Sequence, residues 1–368
     1  MQPLTFEKVR LLDGFWHRKQ EVNRKVTIPV EYEQNKKTGR IDAFALQWTE
    51  GSDLPQPHIF WDSDVAKWVE AAAYSLTTHY DETLDKLLDE VTELIVSSQQ
   101  PDGYINSHFT AVEPHKRFSF LQEDHELYCC GHLIEAAVAH YKATGKRHFL
   151  DAMCRYADLL CKTFGTGEGQ IPGYPGHEEI ELALVKLYET TGEKRYLDLS
   201  EYFIEQRGQS PNYFEMEAKR EKRRATPPLY LQAHKPVREQ EEPVGHAVRA
   251  LYLYAGMADL ARHKNDPTLV SACERLWNEL TQKHMYITGG IGASATNEGF
   301  QKPYDLPNDL AYCETCASAA LVFFASRMLS LTGESKYADV MERTLYNSFL
   351  AGISADGTAE IPGEVLRC

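Results

Sequence analysis

The 368-residue chain carries 39 lysines and arginines against 54 aspartates and glutamates, a formal net charge of −15, with 43% hydrophobic and 25% charged residues. That is a globular balance with enough apolar material for one large core or two modest ones. The acidic excess argues against phosphate-backbone binding and so against nucleic acid as a partner.

The N-terminal run MQPLTFEKVRLLDGFW has no apolar stretch of the signal-peptide kind, and no run of about 18 apolar residues stands out further along. The expectation is a cytoplasmic protein with no membrane partner. Taken in chain order, apolar residues recur at three- and four-residue intervals over 62–78, 82–99, 126–144, 148–164 and 180–191. The same pattern continues over 196–207, 244–263, 268–283, 316–332 and 336–350, so nearly all of the chain reads as amphipathic helix.

A unit recurs among these helices. HYKATGKRHFLDAM, LYETTGEKRYLDLS and MLSLTGESKYADVM each close one helix at Thr-Gly and open another a few residues later. The glycines, 145, 192 and 333, supply left-handed caps and are spaced by 47 and 141 residues, one and three periods. Divergent versions sit at 78–81 and 263–266. Helical hairpins of this period predict a stacked array or a closed toroid. The long inserts 49–61, 101–123, 165–178, 210–243 and 288–309 favour the toroid, as loops crowding one functional face.

Several motifs can be weighed on their own chemistry. HELYC at 125–129 and HEEIE at 177–181 lack the second histidine a zinc protease places on the same helix face. GGIGAS at 289–294 lacks the Lys-Ser/Thr of a phosphate loop and reads as a sharp turn near a ligand. The basic run 219–224, interrupted by Glu221, reads as a solvated helix face or loop. Eight cysteines are too few for a disulfide scaffold; Cys154, Cys161 and the pair Cys129–Cys130 read as packing. Cys313 and Cys316 form a lone CxxC, with no second pair to complete a zinc ribbon. Glu314 and Cys316 converge on one ion only at a helix's first turn, so a metal pair and a buried thiol both stay open. Glu298, Asp305, Asp309 and Glu314 bring carboxylates together near aromatic inserts, the minimal equipment for glycosidic-bond hydrolysis.

A specific resemblance adds to this. FWDSDVAKWVEAAAY (60–74), QQPDGYIN (99–106), DHELYCCGHLIEAAVAHY (124–141), GHEEIELALVKLYETTGEKRYLDL (176–199), GHAVRALYLYAG (245–256), MYITGGIGA (285–293) and the segment around YCETCASAALVFF resemble glycoside hydrolase family 127 in order and spacing. The founding activity of that family is β-L-arabinofuranosidase. The resemblance implies an all-α fold, an (α/α)6 barrel, over 1–358. It implies Glu298 as catalytic acid/base and Glu314 and Cys316 as two ligands of a zinc ion. It also implies Asp64, His132, His177 and His246 as residues facing a small sugar or oligosaccharide.

In the family a zinc-bound cysteine thiolate, the first of a downstream Cys-Cys pair, attacks the anomeric carbon with retention. That pair and the family's β-sandwich domains are not found here. The tail 359–368, ending at Cys368, is atypical of the family. Two alternatives follow, a catalytically silent sugar-binding protein and a metal-independent sugar epimerase or lyase using the histidines. A homodimer is compatible with each of these readings.

Overall fold

The protein is described here by a computed structural model covering residues 4–358, so Cys368 and the tail 359–368 lie outside the described residues. Fourteen α-helices run in chain order among those residues. The first four are α1 (Gly14–Val22), α2 (Ile28–Lys37), α3 (Trp61–Thr78) and α4 (Glu82–Ser97). Then come α5 (His108–Ala111), α6 (Glu126–Thr144), α7 (His148–Thr163), α8 (Ile180–Thr191) and α9 (Lys194–Gln206). The last five are α10 (Tyr213–Glu221), α11 (Ala247–Lys264), α12 (Pro267–Glu279), α13 (Thr315–Thr332) and α14 (Ser335–Thr344). No strand forms among the described residues, only isolated β-bridges.

Two kinds of helix alternate, and burial tells them apart. Along α6 and α11 nearly every side chain is buried, so these lie inside. Along α4 the buried residues are Leu88, Val91, Thr92 and Ile95, one face at helical spacing, as befits an outer helix with one wet side. The hairpins α3–α4, α6–α7, α8–α9, α11–α12 and α13–α14 each pair an inner with an outer helix, and the inner members pack in sequence, α3 on α6, α6 on α8, α8 on α11, α11 on α13. With α2 packed on α3 and Trp16 of α1 bonded to Tyr346 just beyond α14, the N-terminal helices join these five hairpins in the (α/α)6 barrel that the resemblance implies.

The caps explain why the hairpins turn where they do. Gly145, Gly192 and Gly333 end α6, α8 and α13 at φ of 74°, 78° and 77°, each N–H bonded back to a carbonyl of the last turn. Asn265 does the same for α11 at φ 51°. At the other ends Asp81 and Asp266 cap α4 and α12 by accepting two backbone N–H bonds each.

Three features differ from the sequence reading. The N-terminal helices α1 and α2, joined through a π turn at Asn23–Thr27, were not expected, because their polar residues blur the apolar period. They bridge the two ends of the chain: Trp16 Nε1 donates to the Tyr346 hydroxyl (2.7 Å), and Trp68 of α3 donates to the Ile28 carbonyl (2.9 Å). Helix α10 forms inside the insert 210–243; beyond its C-terminus Arg223 lies over the Phe120 ring and pairs with Asp124, so part of the basic run braces a neighbouring loop. Helix α13 is long and apolar enough to cross a membrane by length and composition, which corrects the expectation that no such stretch exists. Scattered Ser, Thr and Arg masked it, and Ala317, Ala320, Leu321, Phe324, Ala325 and Met328 are buried against α11 and α14.

Candidate active site

The N-termini of the inner helices meet at one end of the barrel, and the polar side chains of interest sit on their caps or just before them. Phe60 caps α3, His125 caps α6, Glu179 caps α8 two residues after His177, His246 caps α11 and Glu314 caps α13. Ring contacts join them into an arc. Phe60 lies 6.0 Å from His125, His125 lies 5.7 Å from His177, and His177 lies 5.6 Å from His246 between ring centroids. Tyr128, one turn into α6, packs 4.3 Å from His177.

The hydrogen bonds fix which nitrogen of each histidine faces the pocket. A carbonyl only accepts, so His177 donates from Nδ1 to the Glu178 carbonyl (2.9 Å), and His125 donates from Nδ1 to the Glu123 carbonyl. Each then presents a bare Nε2. Burial, reinforced by the buried Arg249 guanidinium, holds the His177 ring well below the usual histidine range and His125 down to about 3. Both are neutral acceptors for a hydroxyl. His246 is arranged the other way. Its Nδ1 accepts from the Val248 N–H (3.2 Å), so Nε2 carries the proton and donates to Glu298 Oε2 (3.0 Å).

Glu298 stands at φ +49°, a conformation a glutamate adopts only when its surroundings impose it. A hairpin imposes it. Gly289 and Gly292, at φ +86° and +81°, turn the chain back so that Met285 bridges Ile291. Gly299 then bridges both Ser294 and His246, while the Glu298 carbonyl accepts from Ala247 N–H. The GGIGAS run is therefore the turn that delivers a carboxylate. The second Glu298 oxygen accepts from the Tyr312 hydroxyl (3.3 Å). With the His246 hydrogen bond first and burial opposing it, Glu298 is held below the usual carboxylate range.

Glu314 is the contrasting carboxyl. It is 6% exposed, caps no N–H of its own helix, and leaves Oε1 without a partner among the described residues. Burial, then the charge of Glu298, pushes it up to about 8. Cys316 is the second residue of α13, so it and Glu314 do share the first turn of one helix. Cys313, at φ +40°, is buried against the hairpin, with its sulfur 3.2 Å from where a Cβ on Gly290 would stand.

Comparison with known proteins now bears on this geometry. Residues 8–361 match the family described as β-L-arabinofuranosidase, GH127 catalytic domain. The chain belongs to glycoside hydrolase family 127. It is 45% identical over 310 residues to a non-reducing end β-L-arabinofuranosidase of Bifidobacterium longum subsp. longum, covering 81% of this chain and 47% of that one. It superposes with a TM-score of 0.92 and 52% identity on a family 127 β-L-arabinofuranosidase from Geobacillus stearothermophilus T6, covering 95% of this chain and 57% of that one. A family 127 β-arabinofuranosidase structure matches with a TM-score of 0.88 at 42% identity, covering 96% and 55%. The chain thus spans about half the length of these family 127 relatives.

Within this family 127 barrel the expected site residues separate. His177, His246 and Glu298 come together directly, and Tyr312 links Glu298 with Glu314. Asp64 stands apart on the first turn of α3, ion-paired to Arg40 Nε at 2.7 Å. His132 lies one layer deeper, 4% exposed, touching Tyr128 (4.6 Å) and Tyr252 (6.2 Å) and approaching Glu179 at 3.3 Å. It reaches His177 through those tyrosines and sits in the polar barrel interior, where Lys186 pairs with Glu135. The residue the sequence reading passed over is His125. It precedes the motif CCGH in the same string, and the signal that would have found it is its place immediately before the first helical residue.

Proposed function

We propose that this chain hydrolyses terminal β-L-arabinofuranosidic bonds with retention, with Glu298 as acid/base. One observation supports the reading above others: in a family 127 barrel, Glu298 is gripped on both oxygens, by His246 and Tyr312, beside two neutral histidines with bare acceptors. His125 and His177 bind sugar hydroxyls through Nε2, and the tyrosines exclude water from beneath the ring. Glu298 starts as a carboxylate because two donors point at it. A sugar that fills the pocket strips water from it and raises its proton affinity, so that it donates to the departing oxygen and then withdraws a proton from water.

The zinc of the family mechanism finds a partial match here. A buried carboxylate with an oxygen lacking a partner among the described residues is what a cation satisfies, so Glu314 would hold the metal, and Cys316 on the same turn, disulfide-bonded in this structure, would join it only once reduced. When bound, zinc keeps a thiolate deprotonated near neutral pH.

The test is release of free L-arabinose from a β-L-arabinofuranoside, read with and without added zinc and with Glu298→Gln. Arabinose release that needs Glu298 and rises with zinc supports the reading. Sugar binding without any hydrolysis identifies a silent binder. Retained activity after chelation speaks for metal-free chemistry through the histidines. Cytoplasmic residence of the chain belongs to the same proposal.

A further inference from the structure

We propose that Phe60 is the platform of a second sugar subsite, holding the leaving-group sugar of a disaccharide or longer substrate while the terminal sugar fills the histidine pocket. The inference rests on the proposed function and names what lies beyond its reacting bond.

Phe60 stands where a packed residue is expected, at the cap of an inner helix, yet it is 39% exposed. Its ring neighbours do not cover it by stacking. His58 approaches at 4.3 Å with planes at 61°, and His125 at 6.0 Å with planes at 64°. A single exposed aromatic is ordinary on a protein surface. What sets this one apart is continuity, since His125 touches Phe60 on one side and the pocket histidine His177 on the other. A ligand that leaves the pocket along the arc meets Phe60 next.

The surroundings supply the polar half of a sugar site. Asp64 lies one helical turn beyond Phe60 on the same face of α3, its carboxylate 32% exposed and oriented by Arg40. Arg40 in turn lies over the Trp61 ring at 5.0 Å, which fixes its place. An aromatic face for C–H groups with an oriented carboxylate for hydroxyls suits a neutral polyol ring. The carboxylate disfavours an anionic one. This also gives Asp64, remote from Glu298, a role in binding sugar.

The experiment compares a β-L-arabinofuranosyl disaccharide with methyl β-L-arabinofuranoside, whose leaving group is too small to reach the platform. In Phe60→Ala the ratio of kcat/KM for disaccharide over methyl glycoside should fall roughly five- to tenfold, mainly through KM. Phe60→Tyr should restore it. In a Glu298→Gln background, read by calorimetry, Phe60→Ala should weaken disaccharide binding and leave the arabinose affinity in place, and Phe60→Tyr should restore the disaccharide affinity. An unchanged ratio and unchanged disaccharide affinity would overturn the platform, as would equal losses for both ligands. A chain that cleaves neither glycoside refutes the proposed function, and the calorimetric comparison still decides on Phe60. If neither sugar binds, both fall.

Discussion

At the scale of single residues, the site works by assigning protons. His246 and Tyr312 both donate to Glu298, while His125 and His177 both spend their protons on backbone carbonyls. Glu298→Gln keeps the size and removes the transferable proton, so kcat for an arabinofuranoside should drop by about 100-fold or more, with thermal unfolding unchanged. A steady-state assay and a melting curve on the same preparation check this. A second prediction concerns pH and a carboxyl outside the pocket. Burial pushes Glu126 up to about 8, although it accepts from the Tyr104 hydroxyl (2.5 Å) and the Phe118 N–H (2.7 Å). In the unfolded chain the same group titrates near about 4.3. The folded pKa is the higher one, so this contribution to stability is complete below about pH 4 and is lost as pH rises towards about 8. Glu126→Gln should therefore show a smaller fall in melting temperature than wild type between about pH 6 and about pH 9. Residue identity was partly legible in the sequence: Glu298 and Glu314 stand in an acidic cluster near aromatic inserts, and the family resemblance singles them out. His125 was legible only as the residue before the first turn of α6; nothing in HELY says that a left-handed cap will aim its ring at His177.

At the scale of elements, helix ends carry the function and glycines set the ends. Thr-Gly closures located the C-termini of α6, α8 and α13 because a left-handed cap demands a residue type that sequence displays. The N-termini of α3, α6 and α13 were legible to within one residue from periodicity alone, although Phe60, His125 and Glu314 form no side-chain cap bond. The loop geometry was least so. The 285–300 hairpin depends on close backbone approach: a Cβ on Gly299 would stand 1.8 Å from the Gly245 carbonyl oxygen. Gly299→Ala must separate the segment holding Glu298 from the one holding His246. A displacement of that kind should lower kcat roughly 10- to 100-fold while far-ultraviolet circular dichroism keeps its helical signal. If kcat is unaffected, the Glu298–His246 contact is not what positions the acid.

At the scale of the whole molecule, the period of 47 residues predicted stacked hairpins, because each must bury its inner face against the next, and the long inserts with the family resemblance turned that stack into a ring. It did not predict how the ends are tied. Trp16 meets Tyr346 across 330 residues of sequence, with Phe15 stacked on the same tyrosine at 5.5 Å. Those contacts are long-range and their helix is polar, so periodicity gives no hint of them. Trp16→Ala removes a hydrogen bond and an aromatic contact at a half-buried site, worth about 1–2 kcal/mol. A melting temperature lower by a few degrees, with little change in kcat, is the expected result; collapse of activity at temperatures where the barrel is still folded would show that the clasp reaches the pocket.

The convergence of five helix N-termini on one pocket has an electrostatic consequence. Each end carries roughly half a positive charge, so together they impose a field of roughly +2.5 charges on whatever sits between them. Cleavage of a glycosidic bond builds positive charge on the sugar, which such a field opposes. Glu298, held below the usual carboxylate range, offsets part of it, and Glu314 beside it adds to that only once it ionises, towards about pH 8. The barrel scaffold by itself is thus tuned against the reaction it is proposed to host. Neutralising Glu298 would leave the dipoles acting as an inhibitor built into the fold.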